Sequence, residues 1–442
     1  MRYAASGGNL LPMSVARRDI LPRSELEQLQ LARLRDLLSA VLPHNAFHRR
    51  RLAGLDPQSL RSRADLARLP LLTKADLLTD QRDHPPYGSA LTHPTGRYVR
   101  LFQTSGTSGQ PLRWLDTAES LAWMHGCWEQ MFAMAGLTPE DRLFFPFSFG
   151  PFLGFWTAFE AAIRLGYFVM PGGGMSSVAR LRFLLEHRVR VIFCTPSYAL
   201  HLVEVANREG IDLTASAVRA IIVAGEPGGS IPATRSRIES GWSARVLDHC
   251  GMTEIGPCGI ECLDNPGGLH LLEGDYLAEV IDQQTLAPIE AERTGELVLT
   301  NLGRVGSPLI RYRTGDLVRV DPEPCPCGRT FLRLAGGILG RADDMIHLRG
   351  NNVHPASIEA ILRRFEEVAE YRIEVDRSQA LARLRIDVEP LPGFDARALV
   401  EGVGQAVRDE LLFRAEVRAV APGSLPRYEM KARRVVTTDE PR

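Results

Sequence analysis

Apolar residues recur at helical spacing early in the chain. Leu34, Leu37, Leu38 and Val41 share one face of a helix predicted over 24–42, with Ser24 and Glu27 in a capping-box arrangement and Pro43 at its end. The run from Leu69 to Leu77, LPLLTKADL, predicts a second helix capped at Thr73, and 117–135 is apolar on more than one face, as in a buried helix. Further on the period changes. Val189 to Cys194 and Ala220 to Ala224 are short apolar runs of the kind that form buried strands, and each ends in a turn, Thr195-Pro196-Ser197 and Gly225-Glu226-Pro227. Helical stretches over 178–187 and 198–208 fall between such strands. This βαβ alternation predicts a large α/β N-terminal domain with mainly parallel sheets, in which ligands sit beyond the carboxyl ends of the strands.

The pattern after residue 340 is different. Ile358, Ile361, Leu362 and Phe365 lie on one helical face, alternating strands are predicted near 371–375 and 384–388, a helix carries Val400, Val403, Val407 and Leu411, and a strand follows near 417–420. The reading is a small α+β C-terminal domain over 340–442, separate from the large domain over 1–339.

Composition sharpens this. With 442 residues and 45% hydrophobic content, the chain can bury more than one core. Its 52 lysines plus arginines balance 53 acids, which argues against nucleic acid or an anionic membrane as the main partner. The opening twenty residues hold no apolar run of signal-peptide length and no later stretch is long enough to span a bilayer, so a cytoplasmic protein is expected. Seven cysteines then point to thiols or metal ligands, not a disulfide framework.

Candidate chemistry centres on Leu101 to Trp114. Thr104, Ser105, Gly106, Thr107, Ser108 and Gly109 bring four hydroxyls and two glycines together ahead of Pro111. Such a loop can wrap a polyphosphate through backbone N–H groups and rotating hydroxyls. The absence of a following lysine separates it from a Walker A loop. A dense aromatic segment, with Phe147, Phe149, Gly150 and then Trp156, suits a flat apolar pocket. Cys325-Pro326-Cys327 is a tight two-thiol turn, with Cys262 and His270 upstream; these four match the donor set of a structural zinc, and Cys258 could replace one of them.

SGTSGQP resembles the phosphate loop of the acyl-adenylate-forming superfamily, and the partner motifs follow in order. LPLLTKADL, the EC…GLH pair of segments (Glu261-Cys262 and Gly268-Leu269-His270) and CPCGR resemble the narrower group of phenylacetate-coenzyme A ligase-like proteins; this second likeness strengthens the zinc reading. The resemblance implies roles residue by residue. Gly225, Glu226 and Pro227 would form one wall of the adenine slot, with Cys250 and Gly251 beside them. Thr253 would contact phosphate and Glu254 would help to hold Mg2+. Asp316, in YRTGD, would take the ribose hydroxyls from a tight turn. Arg341 is read with the nucleotide site, Asp343 of the GRxDD segment is the hinge of a mobile C-terminal domain, and Lys431 is the catalytic lysine. Ser197 and Ala224 would join the aromatic residues around the acyl group.

The implied reaction uses ATP, Mg2+ and an aryl or arylacetic acid to give an acyl-AMP and pyrophosphate, after which coenzyme A takes the acyl group. An acyl transfer to a carrier protein or an amine, and a non-catalytic nucleotide-binding relative, are the alternatives. A homodimer is left open. Three positions depart from the superfamily pattern: Cys250 replaces a stacking tyrosine, Met430 replaces a glycine, and Leu112 replaces a basic residue whose charge Arg113 could supply.

Overall fold

The computed structural model describes residues 18–104, 110–289, 291–348, 351–376, 383–428 and 431–438. The central sheet has eight strands. Phe168–Pro171, Arg142–Phe145, Val191–Cys194, Ala220–Val223 and Arg245–Met252 run parallel in that spatial order, and Gly256–Ile260, Gly268–Leu271 and Arg333–Ala335 extend it antiparallel. Side chains alternate across a strand, so neighbouring apolar residues serve opposite layers. Phe145, Phe193 and Ile222 join one core with Trp128 and Phe132, while Phe144, Ile192 and Ile221 join another with Tyr198 and Trp242. Helices Ser177–Glu186 and Pro196–Glu209 occupy the expected places between the parallel strands.

A second, antiparallel sheet orders Tyr276–Ile281, Thr294–Asn301, Tyr312–Arg319 and Gly340–Arg341. Residues 340 and 341, where the small domain was expected to begin, are therefore still paired with the large domain's sheet, and the small domain's own pairing starts at Ile346–Leu348. Its four-stranded sheet runs Glu416–Ala419, Arg383–Pro390, Val368–Asp376, Val435–Thr438, with helices Pro355–Leu362 and Ala396–Leu411. The last strand was absent from the sequence reading: VVTT is too short to show a period, and it is fixed by parallel pairing with Ile373 to Asp376.

Local signals fared unevenly. Thr73 caps helix Lys74–Asp83 in a full capping box with Asp76. Ser24 does not cap the first helix, which spans Arg23–Val41 after Pro22; Glu27 pairs with Arg23 at 3.0 Å, and Arg23 also reaches Glu273 at 2.7 Å. A tertiary ion pair overrides the local motif there. Phe365 falls beyond the end of its helix yet still packs on the small domain's core. Among the described residues, no helix is long and apolar enough to cross a membrane.

Candidate functional site

The phosphate-loop sequence connects two antiparallel strands, Tyr98–Gln103 and Arg113–Thr117. Ser105 to Gly109 lie outside the described residues, and Thr104 and Leu112 close the neck: Thr104 N–H donates to the Leu112 carbonyl at 3.0 Å, and Leu112 N–H donates to Thr104 Oγ1 at 3.0 Å. Leu112 is fully buried, so it serves packing where a charge was looked for. Arg113 keeps its charge beside the neck, with its guanidinium donating to the neutral Pro86 carbonyl at 2.9 Å.

Strand Arg245–Met252 carries the next motif into the site. A Cβ on Gly251 would lie 2.9 Å from the Gly256 carbonyl oxygen, which explains glycine there. Thr253 and Glu254 follow, and their two carbonyls accept from Arg304 Nη1 at 2.9 and 2.8 Å. The same guanidinium grips Asp116 through Nε at 2.7 Å and Nη2 at 2.6 Å. Arg304 and Asp116 are both wholly buried. The strand leaving the phosphate loop is thus tied to the backbone of the Thr-Glu motif. Sequence reading missed Arg304, whose partner lies 188 positions away. Glu254 is buried, and its Oε1 accepts from the Tyr312 hydroxyl at 2.8 Å; among the described residues Oε2 has no hydrogen-bond donor.

Asp316 was expected on a tight turn. It lies instead within strand Tyr312–Arg319, where the register with Thr294–Asn301 shifts and Gly315 adopts φ +76°, a bulge that re-aims the following side chain. Burial pushes the Asp316 carboxyl up to about 7, against the charges of Arg341 and Lys431. Arg341 Nη1 donates to Asp316 Oδ1 at 3.2 Å, while its Nε and Nη2 hold Asp343 at 2.8 and 3.0 Å. Asp316 and Asp343, read from sequence as a nucleotide contact and a hinge, share one guanidinium.

Lys431 is exposed, and its charge acts on both Asp316 and Asp344, so the small domain presents it to this cluster. It is one of only two lysines in the chain; the other, half-buried Lys74, acts on Asp343. A count of lysines against arginines would have singled out both. Glu226, expected in the adenine wall, accepts from Ser197 N–H at 2.8 Å and from Ala432 N–H at 2.6 Å, bridging the two domains. Ser197 Oγ accepts from Arg434 at 2.9 Å, so this acyl-pocket candidate stands at the domain junction. Ala224 continues strand Ala220–Val223, and Gly225 beside it needs its φ of +94°. Pro227 follows, exposed.

The aromatic residues do come together. Phe149 and Trp156 lie 4.4 Å apart, Phe147 meets Phe149 edge-on at 5.4 Å, and Trp156 Nε1 donates to the Gly150 carbonyl at 2.9 Å. His249, not singled out from sequence, lies 4.5 Å from Trp128, and burial lowers its imidazole to about 4, making it neutral near pH 7.

Cys262 Sγ lies 3.6 Å from Cys325 Sγ, and Cys327 Sγ lies 3.5 Å from His270 Nε2; the four donor atoms all fall within 4.8 Å of one another. Cys258 is not among them. It faces Cys250, Sγ to Sγ 3.5 Å, across neighbouring strands.

Tyr312→Phe removes the bond that orients Glu254 and leaves the buried ring. The expected result is a loss of about 10- to 100-fold in activity or in Mg2+ affinity, the usual effect of losing such a supporting partner. A Mg2+ titration of ATP turnover, beside a thermal melt matching the parent protein, checks it.

Comparison with known proteins accords with this arrangement. The profile of the AMP-binding enzymes matches residues 56–303 and that of the AMP-binding enzyme C-terminal domain matches 350–438. The chain is 34% identical to the phenylacetate-coenzyme A ligase of Thermus thermophilus, over 95% of this chain and 98% of that one. It resembles the crystal structure of a 2-hydroxyisobutyryl-CoA ligase in its postadenylation state, with a TM-score of 0.91, 30% identity, and 97% and 94% of the two chains covered. Against the same ligase in its thioesterification state the TM-score is 0.72, at 31% identity and with 96% and 92% covered. The chain belongs to the AMP-binding enzyme family.

Proposed function

We propose that this protein is an AMP-forming acid–coenzyme A ligase whose acid carries an aromatic ring. The observation that carries the reading is the convergence of Glu254, Asp316 and Lys431, from two domains, with Arg304 tying the Thr253-Glu254 turn to the strand that leaves the phosphate-loop sequence. In the first half-reaction a carboxylate oxygen attacks the α-phosphorus of ATP, and the bond to pyrophosphate breaks. Lys431 neutralises charge gathering on the α-phosphate and leaving group. Asp316 accepts from the ribose hydroxyls. In the second, the coenzyme A sulfur attacks the acyl carbon and AMP leaves. Rotation about Asp343 withdraws Lys431 between the two.

Mg2+ held on phosphates takes only one or two protein carboxylates, and buried Glu254, whose Oε2 meets no donor among the described residues, fits that need. Bound there, the ion would offset phosphate charge. An aromatic guest is favoured by the cluster of Phe147, Phe149 and Trp156 and by the name of the phenylacetate-activating relative.

Cys262, His270, Cys325 and Cys327 fit a structural zinc. A tetrahedral site with Zn–S near 2.3 Å sets donor atoms roughly 3.8 Å apart. The spacings above bracket that value, and His270 Nδ1 lies 3.1 Å from the Phe331 carbonyl, which turns Nε2 toward the thiols. Zinc here would staple strand Gly268–Leu271 to the loop before Arg333–Ala335, away from the reacting atoms.

Pyrophosphate release from MgATP should depend on an aryl or arylacetic acid and turn over only with coenzyme A. Lys431→Ala should slow it by about 10²- to 10³-fold, as loss of a preorganised electrostatic partner does. Silence of the unmodified protein across a broad acid panel would overturn the reading. A raised carboxyl is charged only above its own value, so ATP affinity should fall as pH drops through about 7 and should flatten in Asp316→Asn. Elemental analysis of the purified protein should find about one zinc per chain. Cys325→Ser with Cys327→Ser should abolish it and lower the melting temperature.

A further inference from the structure

The two domains meet through a small set of polar bonds, and several flank Lys431. Ala432 N–H donates to Glu226, Arg434 Nη2 donates to Ser197 Oγ, and Arg237 of helix Pro232–Trp242 donates to the Val368 carbonyl at 3.0 Å. Another among the described residues is an ion pair with an unusual layout. Arg427, four positions before Lys431, donates through Nε to Glu204 Oε2 at 2.9 Å, across the junction on helix Pro196–Glu209. Its other two nitrogens hold Glu389 of its own domain, at 3.1 and 2.6 Å. Glu389 is buried and also accepts from the amides of Gly423 and Leu425. Arg427 is therefore anchored at home by a bidentate bond and offers one remaining edge to the large domain.

We infer that Arg427 is a positioning residue for acid adenylation, holding the Lys431 segment on the large domain through Glu204. When the small domain turns away, Arg427 keeps Glu389 and loses only Glu204, so the pair favours one arrangement without stabilising either domain. The half-exposed site suits this use: a partly solvated pair contributes little, so it biases an equilibrium that must still reverse each turnover. Beside it on the same helix, His201 Nδ1 lies 3.8 Å from Glu204.

The catalytic consequence rests on the ligase reading, whereas the docking rests on geometry alone, and the test separates them. Glu204→Ala deletes the cross-domain partner and leaves the Arg427–Glu389 anchor. Acid-dependent ATP–pyrophosphate exchange should slow by about two- to five-fold, the range of one partly exposed ion pair. Thioester formation from a supplied aryl-adenylate and coenzyme A should hold its rate or rise. Raising the salt should slow exchange by the parent protein and not by the variant. Glu204→Arg, which sets like charges together, should slow exchange further. Without substrates, hydrogen exchange at the Ala432 amide should quicken in Glu204→Ala. Equal loss in both half-reactions, or unaltered exchange at Ala432, would overturn the inference. An unmodified protein inactive with every acid, in which Glu204→Ala still frees the Ala432 amide, would sink the ligase reading and keep the docking role.

Discussion

Arg304 and Asp116 carry opposite charges at zero exposure, where an unpaired ion would be untenable. Two bonds join them, and Arg304 spends a third nitrogen on the carbonyls of Thr253 and Glu254. A buried pair of this kind adds little net stability, yet breaking one costs about 3–5 kcal/mol because the survivor is stranded. Its value lies in specification. The strand leaving the phosphate hairpin and the turn bearing Thr253 and Glu254 can occupy only one relative placement. Trp114 lies against the same guanidinium at 5.7 Å and closes it from water.

The domain junction follows the opposite logic. Its bonds are few and polar, and one carboxylate, Glu226, takes amides from both sides. An apolar interface of equal extent would hold one arrangement more firmly than these bonds do. The closer fit to a postadenylation structure than to a thioesterification one, 0.91 against 0.72, matches this docked placement of Lys431.

Motif order made the candidate site legible where a motif sits at a strand end and carries its own turn chemistry, as Gly225-Glu226-Pro227 and Thr253-Glu254 do. Thr73 with Asp76 and the βαβ core were readable for the same local reason. What escaped was set by distance. Arg304 and Arg427 find partners 188 and 223 positions away, and no periodicity announces such pairs. Ser24 looked like a cap until Glu273 recruited Arg23. Asp316 looked like a turn residue because Thr-Gly-Asp reads alike in a turn and in a bulge. Cysteine spacing left four metal ligands and a spare, and only the pairing of neighbouring strands assigns Cys258 to Cys250.

The scarcity of lysine has a chemical side. An acyl-AMP is a mixed anhydride, able to acylate any free amine it meets. Guanidinium groups stay protonated and do not compete as nucleophiles near neutral pH. A chain with 52 basic residues and only Lys74 and Lys431 as lysines has almost no side-chain amine to lose to its own product. Both that remain act on the carboxylate cluster of Asp316, Asp343 and Asp344. An amine-reactive probe would therefore report on that one region of the molecule, with little background from the rest of its surface.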